Sequence, residues 1–135
     1  MKINKITIKG TKNIDTSKIE VKNYDYPIFC FKHLHKDFHI NNCTANEKQC
    51  FLDKIILMSQ MDWQVLQCSN RHGIGCEKKN VDSLICELPY SLKSTEDVKF
   101  LLAFRFDKMK PFVGFRNKFI FHILYIDRDF TLYKH

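Results

Sequence analysis

The last third of the chain constrains the fold most, because its apolar residues recur at every second position. From Val98 onward, Phe100, Leu102, Phe104 and Phe106 fall on one face of a strand, while Arg105 falls on the other. Further apolar stretches follow at 112–115, 119–126 and 130–133, separated by short polar connections. Alternation with period two is typical of β-strands. The pattern predicts an antiparallel β-meander, with 119–126 as a central strand covered on both faces.

The middle of the chain predicts helices. Thr44 and Glu47 have the spacing of a capping box, and apolar residues then recur at helical spacing. We expect Phe51, Leu52, Ile55 and Ile56 to share the inward face. A second capping pattern at 59–62 predicts a short helix that bears Trp63 and Leu66, ended by the glycines of 71–75.

The N-terminal part predicts two strands, at 2–9 and around Ile19 and Val21, and a third after Pro27 that ends near Asp37. With 135 residues, the chain has the size of one domain, so we expect a single domain over 1–135. The predicted fold is α+β: a twisted antiparallel sheet with a C-terminal meander and helices packed on one face.

Charge and apolar distribution indicate where the protein works. No apolar run is long enough to span a bilayer, and the start lacks the apolar region of a signal peptide. We therefore expect a cytoplasmic protein without membrane contact. The net charge is +7, and residues 93–135 carry nine Lys and Arg against five acids. Because arginine suits bidentate phosphate contacts, this segment predicts binding to RNA.

The basic meander is the first candidate site. Arg105, Arg116 and His122 could converge on one face of neighbouring strands, where basic groups hold phosphate and a histidine transfers protons. Such a set suffices for metal-free RNA cleavage. For His122 a structural role in the core is an open alternative. The predicted phosphate contacts are Arg105, Arg116, Lys118, Arg71 and Lys110, and the predicted catalytic residues are His122, His135, Tyr133 and His72.

The run 110–135 resembles the closing strands of RelE/ParE-type toxins, with glycine and a basic residue ending one strand and a basic, Tyr or His ending on the last. The resemblance implies a ribosome-dependent mRNA endonuclease, or a gyrase poison, neutralised by an acidic antitoxin protein. By position, Arg105 and Arg116 would contact phosphate, with Tyr133 or His135 near the scissile bond. His122 stands where the family has arginine. A non-catalytic RNA- or protein-binding accessory module is the alternative function.

Three other groups of residues carry side chains that could bind a ligand or act in catalysis. The segment Arg71–Glu77 combines glycines with Arg, His and Glu, and could complete the phosphate site or form a simple turn. His33, His35, His39 and Cys43 could bind zinc, but their spacing matches no known site, so no metal or cofactor is predicted. Cys76 could act as a nucleophile beside His72. The six cysteines are otherwise expected to be small core residues rather than disulfides.

Overall fold

A five-stranded sheet organises the protein in the computed structural model, which describes residues 25–68, 74–89, 92, 98 and 100–134. The strand order across the sheet is β1-β5-β4-β3-β2. The strands are β1 (Ile28–Cys30), β2 (Glu77–Asn80), β3 (Phe100–Asp107), β4 (Lys110–Asn117) and β5 (Ile120–Ile126), and the α-helices are α1 (Ala45–Ser59) and α2 (Trp63–Cys68). The predicted strands at 2–9 and around Ile19 and Val21 lie outside the described residues.

The predicted meander is confirmed. Strands β3, β4 and β5 pair antiparallel in sequence order. A two-residue turn joins each pair, and Lys108 and Lys118, which begin the two turns, have positive φ angles of 53° and 58°. Each hairpin turn therefore contains a lysine with left-handed backbone, and the two lysines lie at opposite ends of the sheet.

The predicted strand over 130–133 does not form; Tyr133 makes only an isolated bridge to Leu84. The reason is local. The carboxylate of Asp127 accepts hydrogen bonds from the backbone N–H groups of Thr131 (3.0 Å) and Leu132 (2.8 Å). These donors hold a turn and are therefore not available to a strand ladder.

The sheet is mixed rather than wholly antiparallel, which corrects the sequence prediction. Strand β1 pairs parallel to β5, with Ile28 opposite Ile120 and Cys30 opposite His122. Strand β5 is therefore flanked by β1 and β4, as its apolar faces predicted. Strand β2 was not predicted, because its residues, Glu-Lys-Lys-Asn, lack apolar alternation.

Two cores cover the two faces of the sheet. On one face, helix residues Phe51, Trp63 and Leu66 pack against Phe112 and Phe121 of the strands. The other face carries a second buried cluster: Leu92, Leu101, Ala103, Val113, Leu124, Tyr125, Leu132 and Tyr133. The predicted α+β arrangement, with both helices on one face of the sheet, is confirmed.

Helix α1 begins as predicted and packs differently. The Thr44 hydroxyl accepts from the N–H of Glu47 at 3.2 Å, and the Glu47 carboxylate accepts from the N–H of Thr44 at 2.7 Å. However, Leu52 and Ile56 are 52% and 47% exposed. The buried face runs through Glu47, Phe51 and Met58 instead, because the ring of Phe51 meets Phe106 and Phe112 at centroid distances of 5.8 and 5.2 Å.

Neither described helix is long and apolar enough to cross a membrane.

Candidate functional site

A cleft of about 650 Å³ opens where helix α1, the start of β2 and the β3–β4 turn meet. Helix α1 contributes Lys54, and the opposite wall comes from the β3–β4 hairpin. The described lining residues are Lys54, Ile74, Gly75, Glu77, Arg105, Phe106, Lys108 and Met109. The cleft thus joins Arg105 to the end of the Arg71–Glu77 segment, two features that the sequence predicted separately.

Arg105 is held in place by its neighbours. Its guanidinium donates to the carbonyl oxygen of Met109, and its Nη2 lies 3.1 Å from Oε1 of Glu77. The guanidinium carbon also lies 5.3 Å from the ring centroid of Phe130. Carboxylate, carbonyl and aromatic ring together fix the direction of the fork, so little side-chain freedom is left to lose when an anion binds.

Glu77 is the acidic residue among the described residues of the cleft lining. Its Oε2 lies 3.2 Å from Nζ of Lys79, so its two oxygens contact two different cations. Burial acts to raise the pKa of Glu77, but the hydrogen bonds from Arg105 and Lys79 outweigh it and bring the pKa below its ordinary value. The carboxylate is therefore charged at neutral pH.

The remaining cations make the cleft positive. Lys54 donates to the carbonyl oxygen of Ile74 at 3.2 Å, and burial lowers the pKa of its ammonium group. Lys108 is exposed on the turn. Three cationic side chains of the described lining thus face one carboxylate, which gives a site that attracts anions.

Arg116 and Lys118 lie elsewhere, which corrects the expectation of one convergent site. Arg105 is opposite Pro111 in the sheet, so their side chains share a face. Arg116 follows Pro111 by five residues on β4. Because side chains alternate along a strand, Arg116 points to the opposite face, where its guanidinium lies 4.5 Å from the ring centroid of Trp63.

The polar contacts of Arg116 are local. It pairs with Asp25 at 3.2 Å, donates to the backbone oxygen of Lys118 at 2.7 Å and contacts the side chain of Gln67. Lys118 itself is exposed at the β4–β5 turn. Both residues lie away from the cleft, and their roles as phosphate contacts stay predictions.

Lys110 serves an ion-pair cluster at the start of helix α1. Its Nζ lies 2.6 Å from Oε2 of Glu47 and 3.4 Å from Asp107. Arg128 contacts the other oxygen of Glu47 at 3.0 Å. The hydrogen bond from Lys110, that from the Thr44 backbone and that from Arg128 lower the pKa of Glu47 to about 2 against the opposing effect of burial. The charge of Lys110 is therefore engaged by carboxylates within the fold.

His122 packs among rings on the face opposite the helices. Its imidazole stacks on Phe115 at a centroid distance of 4.6 Å and an interplanar angle of 12°, and lies 5.6 Å from the ring of His33. Nδ1 is buried and has no hydrogen-bond partner among the described residues. Burial, and then the charges of His33 and Lys32, lower the pKa of His122. This environment favours the structural alternative.

Tyr133, another predicted catalytic residue, is not among the described residues that line the cleft. Tyr133 is 3% exposed, its pKa is raised by burial, and Nζ of Lys79 lies 4.3 Å from its ring centroid. Arg71, His72 and His135 lie outside the described residues.

The cysteine and histidine hypotheses gain no support. Burial, and then the charge of Glu77, raise the pKa of Cys76 to about 11, so its thiol is protonated at neutral pH. All six cysteines are free. His35 and His39 accept backbone hydrogen bonds at 3.1 Å from Asp37 and Asn41. Across the described part of the chain, no group of three or more His, Cys, Asp or Glu side chains could hold a metal ion.

Comparison with known proteins identifies no relative: no family model, no curated protein and no solved structure matches the chain.

Sequence reasoning missed Lys54 and Lys108. A signal for Lys54 was present, because this lysine stands between Phe51 and Ile55 on the part of α1 that faces the sheet. A cation at that position extends its stem along the core and places its charged end at the rim. For Lys108 no comparable signal exists, since a lysine in a turn is ordinary.

Proposed function

We propose that the protein binds the phosphate backbone of RNA. The cleft between α1 and the β3–β4 turn would be the main contact surface. The observation that carries the proposal is the gathering of Lys54, Arg105 and Lys108 around a cavity of about 650 Å³. A net charge of +7 adds long-range attraction for a polyanion.

The chemistry of the three cations suits phosphate. The guanidinium of Arg105 is oriented by Phe130 and Met109 and can present a planar fork to phosphate oxygens. Lys108 adds an exposed ammonium group at the rim. Met109, 59% exposed beside it, offers an apolar surface on which a base could rest. The expected specificity is for phosphate backbone rather than base sequence.

The two hairpin turns provide a matched test. Lys108 at the cleft and Lys118 at the other end of the sheet are both exposed and both have positive φ. Asparagine tolerates that backbone conformation, so Lys108→Asn and Lys118→Asn remove one charge each without added strain. Affinity for a short single-stranded RNA is measured by fluorescence anisotropy over a range of salt concentrations.

We expect Lys108→Asn to weaken RNA binding about fivefold and to reduce the slope of log K against log salt by about 1. Lys118→Asn should change the affinity by less than about twofold. Equal losses would mean that RNA binding follows net charge alone, and a larger loss for Lys118→Asn would move the contact to the Arg116 end of the sheet. Either result would reject the cleft.

Cleavage of the bound RNA is the second candidate function. It is supported by the antiparallel pairing of β4 with β5, two strands that lie within the run 110–135 on which the likeness to RelE/ParE-type toxins rests. Of the described residues that line the cleft, none is a histidine. Catalysis would therefore use His72 or His135, and an acidic antitoxin would be the partner.

The test for cleavage is separate from the test for binding. Expression in a bacterial host should arrest growth, and His72→Ala or His135→Ala should relieve the arrest while RNA affinity stays within about twofold of the parent. RNA that remains intact on incubation with the purified protein, alone and with ribosomes, would limit the function to binding.

A further inference from the structure

We propose that Glu77 occupies the position of a phosphate group in the cleft, so that RNA must displace its carboxylate from Arg105 and Lys79 to bind. This inference rests on the proposed function and adds to it an internal competitor that sets the affinity.

The geometry around Glu77 is that of a bound anion. Oε1 lies 3.1 Å from Nη2 of Arg105, and Oε2 lies 3.2 Å from Nζ of Lys79. Two oxygens of one planar group are thus shared between a guanidinium and an ammonium, as two oxygens of a phosphate would be.

Each of the two cations also has contacts that do not involve Glu77. Arg105 lies over the ring of Phe130 at 5.3 Å and donates to the backbone of Met109, while Lys79 lies over the ring of Tyr133 at 4.3 Å. These contacts would remain if the carboxylate moved away. The anion position would therefore be preformed, and an incoming phosphate would find both cations already oriented.

The carboxylate itself can leave. The Glu77 side chain is 43% exposed. It projects from β2, a short strand at one edge of the described sheet, so a rotation about its side-chain bonds suffices to release both cations. Partly exposed ion pairs contribute little net stability, because water compensates both charges. A phosphodiester held by the same two cations, with Lys54 and Lys108 nearby, would replace the carboxylate at little cost.

The test removes the competing charge and keeps the shape. Glu77→Gln is titrated with inorganic phosphate, followed by NMR of the arginine side-chain N–H signals, and with a short single-stranded RNA by anisotropy. Asp25→Asn is the matched control: it also removes a carboxylate that is 3.2 Å from an arginine and 52% exposed, but on the opposite face of the sheet. Both variants are checked for folding by circular dichroism.

We expect Glu77→Gln to bind both inorganic phosphate and RNA about fivefold more tightly than the parent, and Asp25→Asn to stay within about twofold. In an Arg105→Gln background, the gain from Glu77→Gln should disappear. A gain that is equal for Asp25→Asn, or that persists without Arg105, would show a general charge effect and overturn the inference.

The two proposals fail in different ways. If the parent binds RNA and Lys108→Asn weakens it, while Glu77→Gln binds no more tightly, the competitor is wrong and the RNA site stands. If RNA does not bind at all, the proposed function fails, and the inorganic phosphate titration still decides whether Glu77 covers an anion site.

Discussion

The ammonium group of Lys110 lies 2.6 Å from the carboxylate of Glu47, which joins the first turn of α1 to the start of β4. Glu47 is 2% exposed, and the same carboxylate also completes the capping box of α1 and contacts Arg128. One side chain therefore links a helix N-terminus to a strand and to the turn after β5.

Replacing this carboxylate should destabilise the fold. Glu47→Gln retains an acceptor for the Thr44 N–H but leaves Lys110 and Arg128 without their charged partner. We expect a loss of about 2 kcal/mol in the free energy of unfolding at pH 7, measured by urea denaturation. Asp53→Asn, which removes an exposed carboxylate bonded to Gln49 on the same helix, should cost less than about 0.5 kcal/mol. Equal losses would contradict a special role for Glu47.

The same carboxylate predicts the acid limit of the fold. Its pKa is about 2 in the folded protein and 4.5 ordinarily, so the unfolded chain takes up the proton first. The stabilisation by Glu47 is complete above about pH 4.5 and is lost as the pH falls towards 2. Urea midpoints measured between pH 6 and pH 2.5 should fall less steeply for Glu47→Gln than for the parent. Parallel curves would contradict the lowered pKa.

Gly114 should not accept a side chain. A β-carbon there would overlap the carbonyl oxygen of His122 and lie 2.9 Å from the carbonyl carbon. Because both obstacles are backbone atoms, β4 and β5 would have to separate. We expect Gly114→Ala to cost about 3 kcal/mol or more, measured by thermal denaturation. Gly75→Ala, at a φ of 75°, should cost only about 1 kcal/mol. A mild effect at Gly114 would mean that the strands are farther apart.

The imidazole of His122 should be replaceable by an apolar ring. His122→Phe would keep the stacking on Phe115 and remove the buried Nδ1, so we expect an increase in stability of about 1 kcal/mol at pH 7. Since the folded pKa of His122 lies below the ordinary 6.5, the unfolded parent gains a proton first. The parent should therefore lose stability as the pH falls through 6.5, and the gain from the variant should grow.

Urea midpoints at pH 7 and pH 5.5 measure this effect. His39→Asn is the control, because asparagine can still accept from the N–H of Asn41 while an imidazole is removed elsewhere. A difference between the two pH values that His122→Phe leaves unchanged would contradict the assignment to His122.

What the sequence could predict depended on how far apart the interacting residues are in the chain. The capping box of Thr44 and Glu47 spans three residues and was found. The ion pairs of Glu47 join it to Lys110 and Arg128, which are far from it in the chain. The sequence around Glu47 therefore gives no indication of them. The exposure of Leu52 and Ile56 was missed for the same reason. Helical spacing predicts an apolar face on α1, but the contacts of Phe51 with the sheet decide which part of that face is buried.

The candidate site shows the same division. Arg105 and Arg116 were both expected on one face, because they belong to neighbouring predicted strands whose register the sequence does not give. In the structure Arg105 is opposite Pro111, so these two side chains share a face. Arg116 is an odd number of residues from Pro111, so its guanidinium group lies on the other face. The meeting of Arg105 with Glu77 depends on β2, a strand whose charged residues carry no periodic pattern.

The parallel pairing of β1 with β5 has a consequence for how the chain reaches its fold. Ile28 meets Ile120 across about 90 residues, whereas β3, β4 and β5 meet their neighbours through two-residue turns. Closing so long a loop costs entropy that the hairpins do not pay, so β1 should join the sheet after the meander has formed. Of the described strands, β1 is synthesised before the others, and until it pairs, the outer edge of β5 would be open to strands of other nascent chains.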